Sequence, residues 1–360
     1  MKRIKSKKKA VIIVLVSAIV LLIIGWWAFC VMMYNENFNV RCDSYEPLML
    51  RTEDFDTLEC KEYSFPSDNE QMLAGYLYSV GSDQQGIIVI AHGFGGGHNS
   101  YMDVANYFAS NGYYVFAYDT TGCDKSEGKG VGGVPQGVID LDHAITFVEE
   151  SKDIPELPVM LFGHSWGGYC VCNVLNYHPE IKAVIECSGF NCSSDMFESG
   201  GKSQAGDVIY AMTPFIKIHE RFKYGKYASN TAMDGFENTD ASILVLHSAD
   251  DNVIGIEYGY DKYYEKYKDD PHFTFIKFED RGHNEVFNDP DNTYKDEFNT
   301  GFDKWLETLD YDYNAEENKE RFKADKAEYI TENLDHTKWS TRLDEDLFSQ
   351  FLDFYNTAVK

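Results

Sequence analysis

The pentapeptide Gly163-His164-Ser165-Trp166-Gly167 is the part of this sequence best suited to chemistry. The apolar run Val159-Met160-Leu161-Phe162 enters it, and a helix-compatible run from Gly168 to His178 leaves it. A serine at such a strand-to-helix turn sits in a strained backbone with its hydroxyl presented, and flanking glycines let strand and helix approach without Cβ contacts. A serine hydroxyl is a poor nucleophile near neutral pH. It needs a base to take its proton during attack and a third group to orient that base. Acyl transfer is the chemistry such a set performs.

Two later segments offer the partners. Ile243-Leu244-Val245-Leu246-His247 reads as a buried strand, and Ser248-Ala249-Asp250-Asp251 is the acidic turn that ends it. Arg281-Gly282-His283-Asn284 follows a further strand, where a glycine frees the backbone to aim an imidazole. Serine, acid, histidine is the chain order expected for a nucleophile on this kind of elbow. His92 and His247 end strands, His143 falls in a helix and His164 lies inside the elbow, while His178, His219, His272 and His336 have no paired motif. These read as hydrogen-bonded structural histidines.

Negative charge developing on a carbonyl oxygen needs preorganised N–H donors, each worth about 2.7–4 kcal/mol. One expected donor is Trp166, just after the serine. The other is Phe94, in the glycine-rich turn His92-Gly93-Phe94-Gly95-Gly96-Gly97 that ends the strand through Ile90-Ala91. No Gly-Lys-Ser/Thr follows those glycines, which argues against a phosphate cradle.

The elements that must carry these residues alternate along the chain. Short β-rich runs lie at 58–65, 72–80, 86–91, 113–119, 159–162, 181–186, 242–247 and 273–278. Amphipathic stretches lie at 101–111, 138–150, 168–178, 255–266 and 293–309. This rhythm predicts an α/β fold with a mostly parallel eight-stranded sheet and helices on both faces. The first two strands, joined by Pro66-Ser67-Asp68-Asn69, predict an antiparallel hairpin. The interval from about 190 to 240 is too long for plain loop and predicts a helical cap. The stretch 310–360 reads as a helical C-terminal extension, with Leu347, Phe348, Phe351, Leu352 and Tyr355 at core-facing spacing.

Charge and hydropathy divide the chain further. Lys2, Arg3, Lys5, Lys7, Lys8 and Lys9 are followed by the uncharged run Ala10–Met33, long enough to cross about 30 Å of hydrocarbon. Residues 1–34 are therefore expected to form a basic tail and an uncleaved anchor, and 35–54 a juxtamembrane stalk. Basic residues before the span predict a single pass through the cell membrane, with the N-terminus cytoplasmic and the body outside. Removing those six positive charges from the formal −27 leaves −33 on the rest, which repels polyanions and excludes nucleic acid as a partner. Seven cysteines lie beyond Cys30, an odd number that argues against a complete disulfide framework. Cys42 with Cys60, or Cys187 with Cys192, is a possible bridge, and free thiols are equally compatible. Cys170 and Cys172 lack a second ligand pair at zinc spacing, so no metal and no cofactor is expected.

The segments AHGFGGG from Ala91, YDTTGCDKSEG from Tyr118, GHSWGG from Gly163, LHSADDNVI from Leu246 and RGHNE from Arg281 together resemble the α/β-hydrolases. The resemblance is to the serine aminopeptidase, monoacylglycerol lipase and cinnamoyl (feruloyl) esterase group. It covers about 58–309 and implies an α/β-hydrolase domain over 55–309. Relatives read His-Gly-x-x-Asp where this chain has His247-Ser248-Ala249-Asp250-Asp251, which puts the acid on Asp251, with Asp250 as the neighbouring alternative. Ser248, Cys123 and Lys125 depart from the group's pattern and bear on substrate preference. The resemblance implies a serine hydrolase cleaving a carboxylic ester or related acyl bond with Ser165, Asp251 and His283. A serine exopeptidase and a membrane-tethered non-catalytic binding module are the competing expectations. The exopeptidase requires free acidic cap residues, for which Asp195, Glu198, Asp207 and Glu220 are candidates. Met212, Phe215, Phe222, Tyr224 and Tyr227 either line an acyl pocket or form the cap's own core.

Overall fold

The computed structural model describes residues 2–360, with side chains from Lys8 onward, so the side chains of the basic residues before Lys8 lie outside the described residues. Eight strands form one sheet: β1 (Glu59–Pro66), β2 (Met72–Ser79), β3 (Ile87–Ala91), β4 (Tyr114–Tyr118), β5 (Val159–His164), β6 (Ala183–Cys187), β7 (Ser242–Ser248) and β8 (Phe273–Phe278). Their order is β1-β2-β4-β3-β5-β6-β7-β8. β1 and β2 form the expected hairpin, β2 pairs antiparallel with β4, and every later pairing is parallel. This is the α/β-hydrolase fold.

Alternation along each central strand splits its side chains between two cores. Ile87, Val89 and Ala91 of β3 and Leu161 of β5 point to one face. Ile88, Ile90, Met160 and Phe162 point to the other. Because successive strand residues face opposite ways, a continuous apolar run marks a strand covered on both sides. The first face is covered by α3 (Gln136–Glu150) and α4 (Trp166–Asn173), the second by α2 (Met102–Ser110) and the C-terminal helix Glu345–Ala358.

That last helix is integral to the body. Leu347, Phe348, Phe351 and Tyr355 are buried, and the Tyr355 hydroxyl donates to the Leu161 carbonyl at 2.7 Å. The helix Tyr294–Leu306, earlier in the chain, has no buried residue. Between β6 and β7 lie the helices expected of a cap, chiefly α5 (Ser193–Ala205) and α6 (Val208–Tyr224).

The N-terminal helix α1 runs from Lys2 to Phe38 and is long and apolar enough to cross a membrane. Val11 to Ile24 are exposed, unlike the residues of a core helix. Contact with the body begins near Trp26, and Cys30 and Tyr34 are fully buried. Residues 39–54 do not stand off as a stalk. Cys42 pairs in parallel with Cys123, with its N–H on the Gly122 carbonyl at 2.9 Å and its carbonyl accepting from Asp124 N–H at 3.0 Å. Arg41 adds bonds to the carbonyls of Ser126 and Gly128. Polarity of this segment signals hydrogen bonding to a loop rather than free solvation. All eight cysteines are free thiols, and Cys42 lies beside Cys123 rather than Cys60.

Candidate functional site

Ser165 occupies the turn between β5 and α4 with φ 58° and ψ −119°, a conformation that L-residues rarely adopt. The glycines around it are required by contact. A Cβ on Gly163 would lie 2.3 Å from the Gly167 carbonyl oxygen, and one on Gly167 would lie 1.9 Å from that of Ala91. Ser165 N–H donates to the Cys187 carbonyl at 2.8 Å, which ties the elbow to the neighbouring strand.

The His283 loop, beyond β8, brings the imidazole Nε2 to 2.7 Å from Ser165 Oγ. Its Nδ1 lies 2.6 Å from Asp251 Oδ2. Ser165, His283 and Asp251 are all nearly buried. The other oxygen of Asp251 accepts from the N–H groups of Val253 and Ile254, both at 2.9 Å. His247 Nε2 lies 3.1 Å from Asp251 Oδ2. Burial pushes the Asp251 carboxyl pKa up, but the bonds to His247 and His283 outweigh this and hold it well below the usual carboxylate range.

Asp250 has a different task. Its Oδ1 accepts from Gly282 N–H at 2.8 Å and Ser248 Oγ at 2.6 Å, and Ser248 Oγ accepts from Arg281 N–H at 2.9 Å. It therefore holds the loop that carries His283 without touching the imidazole. Gly282 has φ 60°, the turn that swings the ring inward. Arg281 pairs with Asp344 at 2.8 Å, so the C-terminal extension steadies the same loop.

His164, inside the elbow, makes a link that its position in the sequence did not reveal. Its Nε2–H donates to the His283 carbonyl at 2.9 Å, and its Nδ1 accepts from the Tyr101 hydroxyl at 2.9 Å. Tyr101 in turn accepts from Gly93 N–H at 3.0 Å. Burial, reinforced by the nearby His283, pushes the His164 pKa down to about 3, so it stays neutral and keeps this direction of bonding. The chain Gly93–Tyr101–His164–His283 couples the glycine-rich turn to the imidazole loop. Its members are 8, 63 and 119 positions apart, and no local pattern signals such contacts.

Trp166 follows Ser165 in the chain, and Phe94 lines the same cavity as Ser165. Their rings meet edge to face, with centroids 5.3 Å apart. As the first residue of α4, Trp166 has no helical acceptor for its N–H, and no protein acceptor occurs for the N–H of Phe94 among the described residues. A cavity of about 490 Å³ opens above Ser165, bounded by Phe94, Gly95, Met196, Val253 and Asn284. Met212, Phe215, Phe222, Tyr224 and Tyr227 do not line it. Met212 and Tyr224 are buried, and Phe222 projects outward. None of Asp195, Glu198, Asp207 and Glu220 lines the cavity either; Glu220 is buried and accepts from Tyr34 and Ser193. His98, Asp119 and Asp124 come within metal-ligand distance of one another, but Asp119 accepts from His98 and Asp124 from Ser44, which satisfies them internally.

A model of the family described as "Serine aminopeptidase, S33" matches residues 82–223, the stretch that carries the glycine-rich turn and the serine elbow. The chain has the α/β-hydrolase fold and is similar to this family over that stretch. The chain is 30% identical over 136 residues to a monoacylglycerol lipase of Mycolicibacterium smegmatis, covering 36% of this chain and 46% of that protein. It is 28% identical over 168 residues to a proline iminopeptidase of Clostridium botulinum, covering 45% and 53%. It is also 33% identical over 104 residues to a monoglyceride lipase of Rattus norvegicus, covering 28% and 33%. The matched part thus spans a third to a half of these relatives. In fold the chain is similar to an esterase of Pyrococcus furiosus, with a TM-score of 0.54 at 17% identity over 75% of this chain and 97% of that one.

Proposed function

We propose that this hydrolase cleaves a carboxylic ester or related acyl bond by nucleophilic catalysis, with Ser165 as nucleophile, His283 as base and Asp251 as its orienting acid. The single observation that carries the reading is the continuous path from Ser165 Oγ to His283 Nε2 at 2.7 Å and from His283 Nδ1 to Asp251 Oδ2 at 2.6 Å. As Ser165 Oγ bonds to the carbonyl carbon, His283 takes its proton. The N–H groups of Phe94 and Trp166 receive the oxyanion. Collapse breaks the bond to the leaving group, which departs with the proton from His283. Water then adds to the acyl-serine by the same route, returning Ser165 and releasing the acid.

The domain reading proposed is an anchor, a catalytic body with a cap, and a C-terminal extension that completes the body. Exposed apolar residues along α1 support attachment to a membrane. The basic residues at its start support a cytoplasmic N-terminus and an external catalytic body. The ester reading is favoured over the exopeptidase by the cavity, which has no carboxylate among its described lining residues to hold a substrate amine.

The test is covalent labelling of the full chain in membranes with a fluorophosphonate probe. Wild type is expected to label at Ser165 and Ser165→Ala to show no label. A wild type that resists labelling leaves the non-catalytic binding module as the better account. Faster turnover of aminoacyl anilides than of p-nitrophenyl esters would favour the exopeptidase.

A further inference from the structure

The turn Gly93–Gly97 has four glycines among its five residues, and Gly95 adopts φ +90° with open space where a Cβ would be. Such a segment has little rigidity of its own. A catalytic donor must nevertheless be held within a fraction of an ångström of its working position. Something outside the turn has to supply that stiffness.

The supply comes from the last residue of α1. At about 1.5 Å per residue, the 37-residue helix is about 55 Å long, well beyond the roughly 30 Å of hydrocarbon it would cross. Its final turns therefore project onto the catalytic body. There the ring of Phe38 meets Phe94 edge to face at 5.7 Å, and Phe94 also meets Trp166 at 5.3 Å. Phe38 is itself packed by Tyr34 at 5.2 Å and by Phe197 of the cap at 6.3 Å.

Tyr34 fixes the helix end in place. Its hydroxyl donates to Glu220 at 2.5 Å and accepts from Val134 N–H at 2.9 Å. The Val134 carbonyl accepts from the Trp166 indole at 2.8 Å. One residue thus ties the helix end to the side chain that neighbours the serine. Beyond the helix, Ser44 donates to both oxygens of Asp124, and Asn99 donates to Ser44 at 3.0 Å. These bonds keep the chain after Phe38 from lifting away from the turn.

We propose that Phe38 is a positioning residue that holds Phe94, and with it the Phe94 N–H, in the geometry needed for the oxyanion. The N-terminal helix then acts as a brace for the catalytic site as well as a tether. This inference rests on the serine-hydrolase reading for its effect on rate, while the bracing itself does not.

The experiment compares full-length wild type, Phe38→Ala and Phe38→Leu in proteoliposomes. Removing an oxyanion donor outright costs about 10²–10³ in kcat, so loosening one is expected to cost roughly tenfold. With p-nitrophenyl acetate, Phe38→Ala should lose about tenfold in kcat with KM changed less than about twofold, because only the transition state uses the donor. The Ki of a trifluoromethyl ketone, which forms a tetrahedral adduct, should rise by the same factor as kcat/KM falls. Phe38→Leu should recover most of the rate. Hydrogen exchange of the peptide over 91–101 should speed up in Phe38→Ala and stay near wild type in Phe38→Leu.

An unchanged kcat overturns the proposal, as does a rise in KM alone, which would make Phe38 a wall of the acyl cavity. A loss of rate without faster exchange in 91–101 overturns it too. If wild type shows no turnover, the exchange measurement still decides: faster exchange in Phe38→Ala supports the brace while the enzymatic reading fails, and unchanged exchange removes both.

Discussion

Replacing Asp251 by asparagine tests the proposed acid most directly. Oδ1 of Asp251 accepts from two backbone N–H groups, those of Val253 and Ile254, and these cannot turn away. An asparagine amide must keep its oxygen on that pair, because its NH₂ would oppose two donors there. Its NH₂ then faces His283 Nδ1, where the carboxylate oxygen now stands at 2.6 Å. A neutral imidazole opposite a donor carries its proton on Nε2, pointing at Ser165, and so cannot accept the hydroxyl proton.

Two losses follow. A hydrogen bond to a charged acceptor contributes about 1.5–3 kcal/mol. Attraction between imidazolium and carboxylate at close range contributes about 4 kcal/mol at the effective dielectric of a protein. Together they raise the barrier by about 5.5–7 kcal/mol, which is about 10⁴–10⁵-fold in kcat. The assay is saturating ester turnover by the full chain, with a thermal melt to show that the variant folds. Asp250→Asn serves as the comparison, since an amide oxygen can still accept from Gly282 N–H and Ser248 Oγ and should cost less than about tenfold. Asp251→Asn retaining more than a hundredth of the rate would refute the argument. So would an equal loss in Asp250→Asn.

Two stability predictions accompany it. Gly167→Ala places a Cβ 1.9 Å from a backbone oxygen and should cost at least about 3 kcal/mol, whereas Gly200→Ala meets nothing within 4 Å in α5 and should gain roughly 0.5–1 kcal/mol; melting temperatures that rank the two alike would contradict this. Burial pushes the carboxyl pKa of Glu220 up to about 7 from the usual carboxylate value near 4.5, so the folded chain keeps a proton that the unfolded chain releases between those values. Stability should therefore fall as pH rises from about 4.5 to 7, a window that Glu186 shares for the same reason. Glu220→Gln should flatten part of that slope when melting temperature is followed from pH 5 to 8; an unchanged slope would count against it.

Local rules carried much of this architecture. Strands covered on both faces read as nearly continuous apolar runs, so β3, β5 and β7 stood out from the sequence pattern alone. Glycines in the serine elbow were legible because steric crowding at a strand-to-helix turn admits few other residues. The hairpin, the cap interval, the apolar helix and the core-facing stripe of the C-terminal helix were likewise written in short-range patterns.

Tertiary structure decided what depends on direction and on distant partners. Asp250 and Asp251 are adjacent and chemically identical, and only the path of the turn sends one to the His283 loop backbone and the other to its imidazole. Two readings were open for Met212, Phe215, Phe222, Tyr224 and Tyr227; none of them lines the cavity, Met212 and Tyr224 are buried and Phe222 is exposed, while Met196, which no pattern singled out, reached the cavity. Residues 39–54 were too polar to predict as part of the body, because their partners are carbonyls and carboxylates of a loop some 80 positions away. Periodicity reports which way a side chain faces within its own element. It carries no information about which other element waits there, and that is where Tyr101, His164 and Phe38 acquire their roles.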